Sequence, residues 1–87
     1  MTTTYHDEVV AKAHTAFKRA KHELIEAKEA LSALKAKSAL EFGDAGMTPE
    51  QRAEVKFLAE RGARKYVELV REEHDRLFEE FRAVAKF

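Results

Sequence analysis

The chain has 87 residues, in which 16 lysines and arginines balance 16 aspartates and glutamates, and it contains no cysteine. The absence of cysteine excludes disulfides, thiolate nucleophiles and cysteine-based metal sites, and the zero net charge argues against a dedicated binder of nucleic acid or anionic membranes. No apolar stretch is long enough to span a membrane and no apolar leader follows the polar start, so we expect one cytoplasmic domain over 1–87 without a signal peptide or transmembrane segment.

The first predicted element is a helix over 5–42, in a sequence whose abundant alanine, glutamate, lysine, leucine and arginine are typical of long helices. Thr4 suits the N-cap position, with Asp7 at the third helical position. Apolar residues then recur in alternating steps of three and four, the heptad pattern of a helix that packs against another helix. These residues are Val10, Ala13, Phe17, Ala20, Leu24, Ala27, Leu31 and Leu34.

A turn over 43–48 is predicted to separate this helix from a second helix over 49–86. Gly43 suits the left-handed position that ends a helix. Thr48 and Gln51 form a Thr-x-x-Gln capping box, with Pro49 at the first helical position. Two helices of equal length joined by a short turn predict an antiparallel hairpin. Its radius of gyration should clearly exceed the value of about 12 Å expected for a compact chain of this length.

The second helix carries a wider apolar surface than the first. Its main seam is predicted to face the first helix, with Leu24 opposite Tyr66 and Val67, and a displaced stripe lies beside that seam. Gly62 costs about 1 kcal/mol inside a helix, and close packing against Ala27 would explain it; the alternative is a break at Gly62 that makes a three-helix bundle. The seam is Val55, Leu58, Ala59, Gly62, Tyr66, Leu69, Val70, Leu77, Phe81 and Val84, and the stripe is Val67, Val70, Phe78, Phe81 and Ala85.

The order of charges along the chain favours the antiparallel register. Basic residues within 12–21 of the first helix would lie alongside the acidic stretch 68–80 of the second. Further in, the glutamates within 23–29 would lie alongside the basic residues within 61–65. An exposed ion pair contributes only about 0–1 kcal/mol, so this pattern is expected to select the register rather than supply stability.

Two helices side by side cannot hide all of this apolar surface, and the remainder would exceed the few hundred Å² usual for monomers. We therefore expect an all-α hairpin that pairs into a four-helix bundle or coiled-coil-like dimer, or that binds a larger protein. His74 is either a pH-sensitive interface residue or a partly buried histidine bonded to a nearby carboxylate. The predicted interface residues are Phe42, Phe57, Val67, Val70, His74, Phe78, Phe81 and Phe87.

The predicted function is that of a non-enzymatic protein–protein interaction module: a small adaptor, assembly factor or inhibitor. The first alternative is a small dimeric nucleic-acid-binding protein in which a basic line on the first helix follows the phosphates, although no aromatic side chains interleave it for base stacking. The second alternative is a small dimeric all-α enzyme, for which no nucleophile or acid–base pair stands out. The basic line comprises Lys18, Arg19, Lys21, Lys28 and Lys35.

No cofactor, metal ion or small-molecule substrate is expected. His22 and Glu26 have the i, i+4 spacing that can chelate a metal, but they supply only two ligands. The paired Glu-x-x-His motifs of di-iron bundles are missing from the sequence. The glycine-containing segment 43–46 lacks the residues of phosphate-binding and calcium-binding loops, so it is interpreted as a turn alone.

Overall fold

The computed structural model describes residues 2–86, and the side chains of 5–86. All the regular secondary structure in this part of the chain is helical: helix α1 spans Thr2–Ala36, a short 3₁₀ turn spans Ala39–Glu41, and helix α2 spans Pro49–Ala85. The helices pack side by side in opposite directions, and the molecule is a rod with dimensions of 67 × 16 × 15 Å. Its radius of gyration is 19.6 Å, well above the compact value, as the hairpin prediction requires.

The second helix is continuous through Gly62, so the three-helix alternative is wrong. Gly62 is exposed, and a Cβ atom built on it would meet nothing within 4 Å. The predicted close packing of Ala27 over Gly62 is therefore wrong within the hairpin. A glycine inside a helix costs backbone entropy on folding. No contact within the hairpin explains why Gly62 stands at this position.

The predicted bounds of the first helix were inaccurate at both ends. Helix α1 already includes Thr2, so Thr4 lies inside the helix and is not its N-cap. Helix α1 ends at Ala36 rather than at Phe42, because a second capping box follows it. The backbone N–H of Ser38 donates to the carboxylate of Glu41 at 2.7 Å, and the Ser38 hydroxyl accepts from the N–H of Leu40 at 3.3 Å.

The turn signals after this point are confirmed. Gly43 has a φ of +80°, and a side chain there would clash with the Met47 sulfur, 2.5 Å from the position of the missing Cβ. The Thr48 hydroxyl accepts from the N–H of Gln51 at 3.2 Å, and the Gln51 amide oxygen accepts from the N–H of Thr48 at 2.9 Å. Pro49 occupies the first turn of α2, where its missing N–H leaves no hydrogen bond unmade.

The core between the helices is narrow and consists of small and branched side chains. Leu24 and Ala27 of α1 pack against Val67 and Val70 of α2, and Leu31 packs on the edge of this cluster. The predicted contact of Leu24 with Val67 and the inward position of Val70 are confirmed, whereas Leu58, Tyr66 and Leu69 of the predicted seam are exposed. Val67 and Val70, which were also predicted as interface residues, are each 7% exposed inside the hairpin.

Among the side chains of residues 5–86, no charge of one helix pairs with a charge of the other. Over residues 5–86, every side-chain ion pair joins two residues of the same helix. The antiparallel register is the predicted one, but the predicted pairing of the basic line with the acidic stretch of α2 is absent from these residues. Over the described residues, neither helix has a segment apolar enough to cross a bilayer.

Candidate protein-binding surface

A row of large apolar side chains remains exposed along α2. Leu58, Tyr66 and Leu69 are 54%, 55% and 58% exposed. Leu58, Gly62, Tyr66 and Leu69 follow one another at intervals of four, four and three residues. They therefore lie on one side of the helix. This side is adjacent to the side that packs on α1, because Tyr66 and Leu69 each precede a buried valine by one position.

Two shallow depressions between the helices adjoin this row. The first, of about 260 Å³, lies beside Tyr66 and is floored by Ala27, Ala30 and Ala63. The second, of about 250 Å³, lies further from the turn, and Glu23 borders both. We call this side of the hairpin, with the exposed row and the two depressions, the open face. Its small residues leave room for side chains of another molecule.

The open face becomes charged towards the end of the rod that carries the chain termini, which we call the termini end. The Arg76 guanidinium donates to the carboxylates of Glu73 at 2.7 Å and Glu80 at 3.1 Å. The hydrogen bond and charge of Glu73, followed by the charge of Glu80, hold the pKa of Arg76 above its ordinary value. The apolar half of the open face thus adjoins the turn, and its charged half adjoins the termini.

An aromatic cluster joins the helices at the termini end. The ring of Phe17 lies 5.1 Å from that of His74, 5.2 Å from that of Phe78 and 6.0 Å from that of Phe81, and it stacks on the last with an interplanar angle of 5°. The ring of His14 lies 5.1 Å from that of Phe81. The half-buried imidazole of His74 has Nδ1 3.1 Å from Oδ1 of Asp75, so the alternative of a histidine bonded to a nearby carboxylate describes its position.

The predicted interface residues are not brought together on one surface. Val67 and Val70 are core residues, and Phe81 and His74 belong to the aromatic cluster between the helices. Phe57 and Phe78 are exposed, while Phe42 is half-buried at the turn. Phe87 lies outside the described residues. The three residues that do form an exposed row, Leu58, Tyr66 and Leu69, were predicted to be covered by the first helix.

Two basic residues that the sequence analysis did not single out hold the turn together. Arg52 donates to the backbone carbonyls of Phe42 at 2.7 Å and Asp44 at 2.6 Å, and more weakly to those of Leu40 and Met47. One turn later, Lys56 donates to the carbonyl of Lys37 at 2.5 Å, beyond the end of α1. A cation there also interacts favourably with the helix dipole. The feature of the sequence that could have predicted this role is the pair of basic residues, Arg52 and Lys56, four positions apart at the start of α2.

The basic line on α1 is divided between the two sides of the hairpin. Arg19 borders a depression of the open face. Lys18 and Lys21 line a third depression, of about 300 Å³, on the opposite side with Ile25. Lys28 and Lys35 are also exposed. Within residues 5–86, none of these five basic residues takes part in an ion pair.

The two candidate metal ligands on α1 bond to each other. Nε2 of His22 lies 2.9 Å from Oε1 of Glu26, and both side chains are largely exposed. Nowhere in the described part of the chain do three histidine or carboxylate side chains converge at metal-binding distance.

Comparison with known proteins adds no relative from which a function could be transferred. No protein-family model, curated protein or solved structure matches the chain.

Proposed function

We propose that this protein is a non-enzymatic interaction module that binds another protein through the open face, as a small adaptor, assembly factor or inhibitor. The observation that carries the proposal is the exposure of Leu58, Tyr66 and Leu69 in a single row, each more than half accessible. Leaving such a row in water forgoes the free energy of burying it, which is about 1.5–3 kcal/mol for a fully buried large apolar side chain.

The shape of the open face favours a helical partner. Its apolar residues follow a helical spacing, and the depressions beside them run between two parallel ridges of side chains. A second helix can lay an apolar stripe along such a groove, with anchors three and four residues apart. Glu23 and Glu26 on one edge would then form part of the polar rim that surrounds most interfaces.

The test is affinity capture from cells of the source organism with two matched variants. Leu69→Lys places a charge in the exposed row, whereas Ile25→Lys places the same charge on the opposite side at a residue that is 45% exposed. We expect wild type and Ile25→Lys to retain the bound proteins that Leu69→Lys loses. Equal retention by all three, with unchanged helical circular dichroism, would contradict binding through the open face.

A second candidate function is nucleic-acid binding by the basic line, and one observation favours it. The acidic residues of α2 were expected to neutralise this line, but the two do not pair within residues 5–86. Lys18, Lys21 and Lys28 are therefore available to phosphates. Retention on a nucleic-acid column that falls steeply between about 50 and 200 mM salt, and that Lys21→Glu reduces, would support this candidate.

A further inference from the structure

We propose that the open face is covered by a second copy of this chain in an aligned dimer, with the two-fold axis parallel to the rod and both turns at the same end. In this arrangement α1 of each copy packs on α2 of the other, which completes a four-helix bundle in which every neighbouring pair is antiparallel. The inference rests on the proposed function, since it takes the open face to be a protein-binding surface.

The charges supply the first argument. A rotation about the long axis leaves every residue at its original height along the rod, so α1 of one copy meets α2 of the other in the register already present within the hairpin. Glu26 lies at the height of Ala63 and Tyr66, which line the same depression, and it would face Lys65 of the second copy. Arg19, which shares its depression with Glu73, would face Glu72 of the second copy.

These residues are exposed on the correct sides of the hairpin. Glu26 and Arg19 are seven residues apart on α1, and each borders a depression of the open face. Lys65 follows Leu58 by seven residues, and Glu72 follows Lys65 by seven, so both lie along the outer edge of the exposed row. The complementary charges that do not meet within one chain are thus placed to meet between two chains.

The alternative symmetry is disfavoured by the same charges. A two-fold axis perpendicular to the rod at Gly62 would also match the apolar row to itself, because Leu58 and Tyr66 lie four residues on either side of Gly62. That axis would place Arg61 of each chain within about 3 Å, measured along the helix axes, of both Arg61 and Lys65 of the other chain. Like charges side by side are destabilising, so the aligned arrangement is the one that the charge pattern selects.

The rod is large enough for a dimer interface along one side. One whole side measures 67 × 16 Å, an outline of roughly 1,000 Å² per chain, against about 800 Å² per partner in an interface of standard size. The arrangement also accounts for Gly62, which nothing covers in the single chain. It would lie against Ala30 in α1 of the second copy, and the absence of a side chain would let the helices approach closely.

The first experiment measures the distance between the two turns. The chain has no native cysteine, so a spin label on Ala45→Cys, at an exposed turn residue, reports on that site alone. Pulsed electron paramagnetic resonance of the full chain should give a distance of about 20–35 Å between the labels in an aligned dimer. In mixed dimers of Ala45→Cys and Ala83→Cys, the distance should approach the length of the rod. The aligned arrangement would be overturned by a short distance between the labels at positions 45 and 83 in mixed dimers, together with a long distance between two labels at position 45.

The second experiment tests the charge pairs by reversal. We expect Lys65→Glu to weaken the dimer about tenfold in sedimentation equilibrium, because the symmetry removes two ion pairs at once. Combining Lys65→Glu with Glu26→Lys should restore the wild-type dissociation constant. A double variant no tighter than Lys65→Glu alone would overturn the pairing.

The outcomes separate this inference from the proposed function. Sedimentation as a 10 kDa monomer at about 100 µM, where weak specific complexes still form, would overturn the dimer. If capture of another protein still depended on Leu69 in that case, the proposed function would stand. A dimer that Leu69→Lys weakens at least tenfold and Ile25→Lys leaves intact would support the inference, and capture of another protein that Leu69→Lys alone abolishes would support the proposed function. If Leu69→Lys changed neither dimerisation nor capture, the dimer through the open face and the proposed function would both be overturned.

Discussion

The two halves of the hairpin are held together by different interactions. Near the turn, α2 is joined to the segment that follows α1 by hydrogen bonds from charged side chains to backbone carbonyls, chiefly those of Arg52 and Lys56. Near the termini, the two helices are joined by aromatic rings, with Phe17 at the centre of the cluster. The polar half fixes where the chain reverses, whereas the aromatic half fixes which side of α2 faces α1.

The same division extends to the surface. The half near the turn leaves Leu58, Tyr66 and Leu69 exposed, although leucine, alanine and valine side chains form a core beneath them. The half near the termini packs the half-buried rings of Phe17 and Phe81 between the helices and presents the ion pairs of Arg76 on the open face. On the open face, apolar surface that is not used for folding is therefore concentrated near the turn.

The largest expected effect comes from breaking the aromatic half. Phe17→Ala removes the ring that contacts three others, and we expect it to lower the free energy of unfolding by about 2–4 kcal/mol in urea denaturation. Phe57→Ala, at an exposed phenylalanine, is the matched control and should change stability by no more than about 0.5 kcal/mol. If both variants lost a similar amount of unfolding free energy, the aromatic cluster would contribute no more to stability than an exposed ring does.

A smaller effect is expected from breaking the polar half. Arg52→Ala removes charged hydrogen bonds to several carbonyls and should cost about 2 kcal/mol. Hydrogen exchange should accelerate over 39–48 while protection around Phe17 is retained, because the two halves are held independently. Arg61→Ala, which changes an exposed arginine of the same helix, should leave exchange at the turn unchanged. Uniform acceleration along the rod would show instead that the halves unfold together.

The capping box at the start of α2 should contribute less again. Thr48→Ala removes the hydroxyl that accepts from the N–H of Gln51, and we expect it to cost about 1 kcal/mol in thermal or chemical unfolding. Thr48→Ser keeps the acceptor and should recover most of that loss. If serine were no better than alanine, the hydroxyl would not be the stabilising group.

The smallest effect is expected at Gly62, and its sign is favourable. Gly62→Ala should raise the stability of the dilute chain by up to about 1 kcal/mol, because a methyl group there meets open space and alanine is the better helix former. The same variant should weaken self-association if a second chain approaches closely at this point. Unfolding curves over a range of protein concentrations separate the two effects.

Sequence reasoning predicted the hairpin well because the breakers are few and specific. Gly43, Thr48 and Pro49 each have one conformational preference, and the structure uses all three as expected. The predicted end of α1 at residue 42 is too late because Ser38 and Glu41 form a second capping box, which starts a new helical turn. This Ser-x-x-Glu pattern is a start signal that the sequence itself carries.

The side of the wide apolar surface of α2 that faces α1 could not be predicted from periodicity alone. The stripe with Tyr66 and the stripe with Val67 are adjacent and equally regular, so the choice depends on three-dimensional fit. The valines pack against Leu24 and Ala27, whereas the Tyr66 hydroxyl would need a hydrogen-bond partner if it were buried. The contacts of Phe17 with two phenylalanines of α2 add a constraint that becomes visible only when both helices are placed.

The position of the turn has a consequence for the order in which the molecule folds. The carbonyls that Arg52 reaches lie within 12 positions of it along the chain, so these bonds close a short loop at little entropic cost. Phe17 lies near the middle of α1 and Phe81 near the end of α2, and their contact closes most of the chain. We therefore expect folding to begin at the turn and helix pairing to proceed from there towards the termini. Changes at Arg52 then act mainly on the rate of folding, and changes at Phe17 mainly on the rate of unfolding.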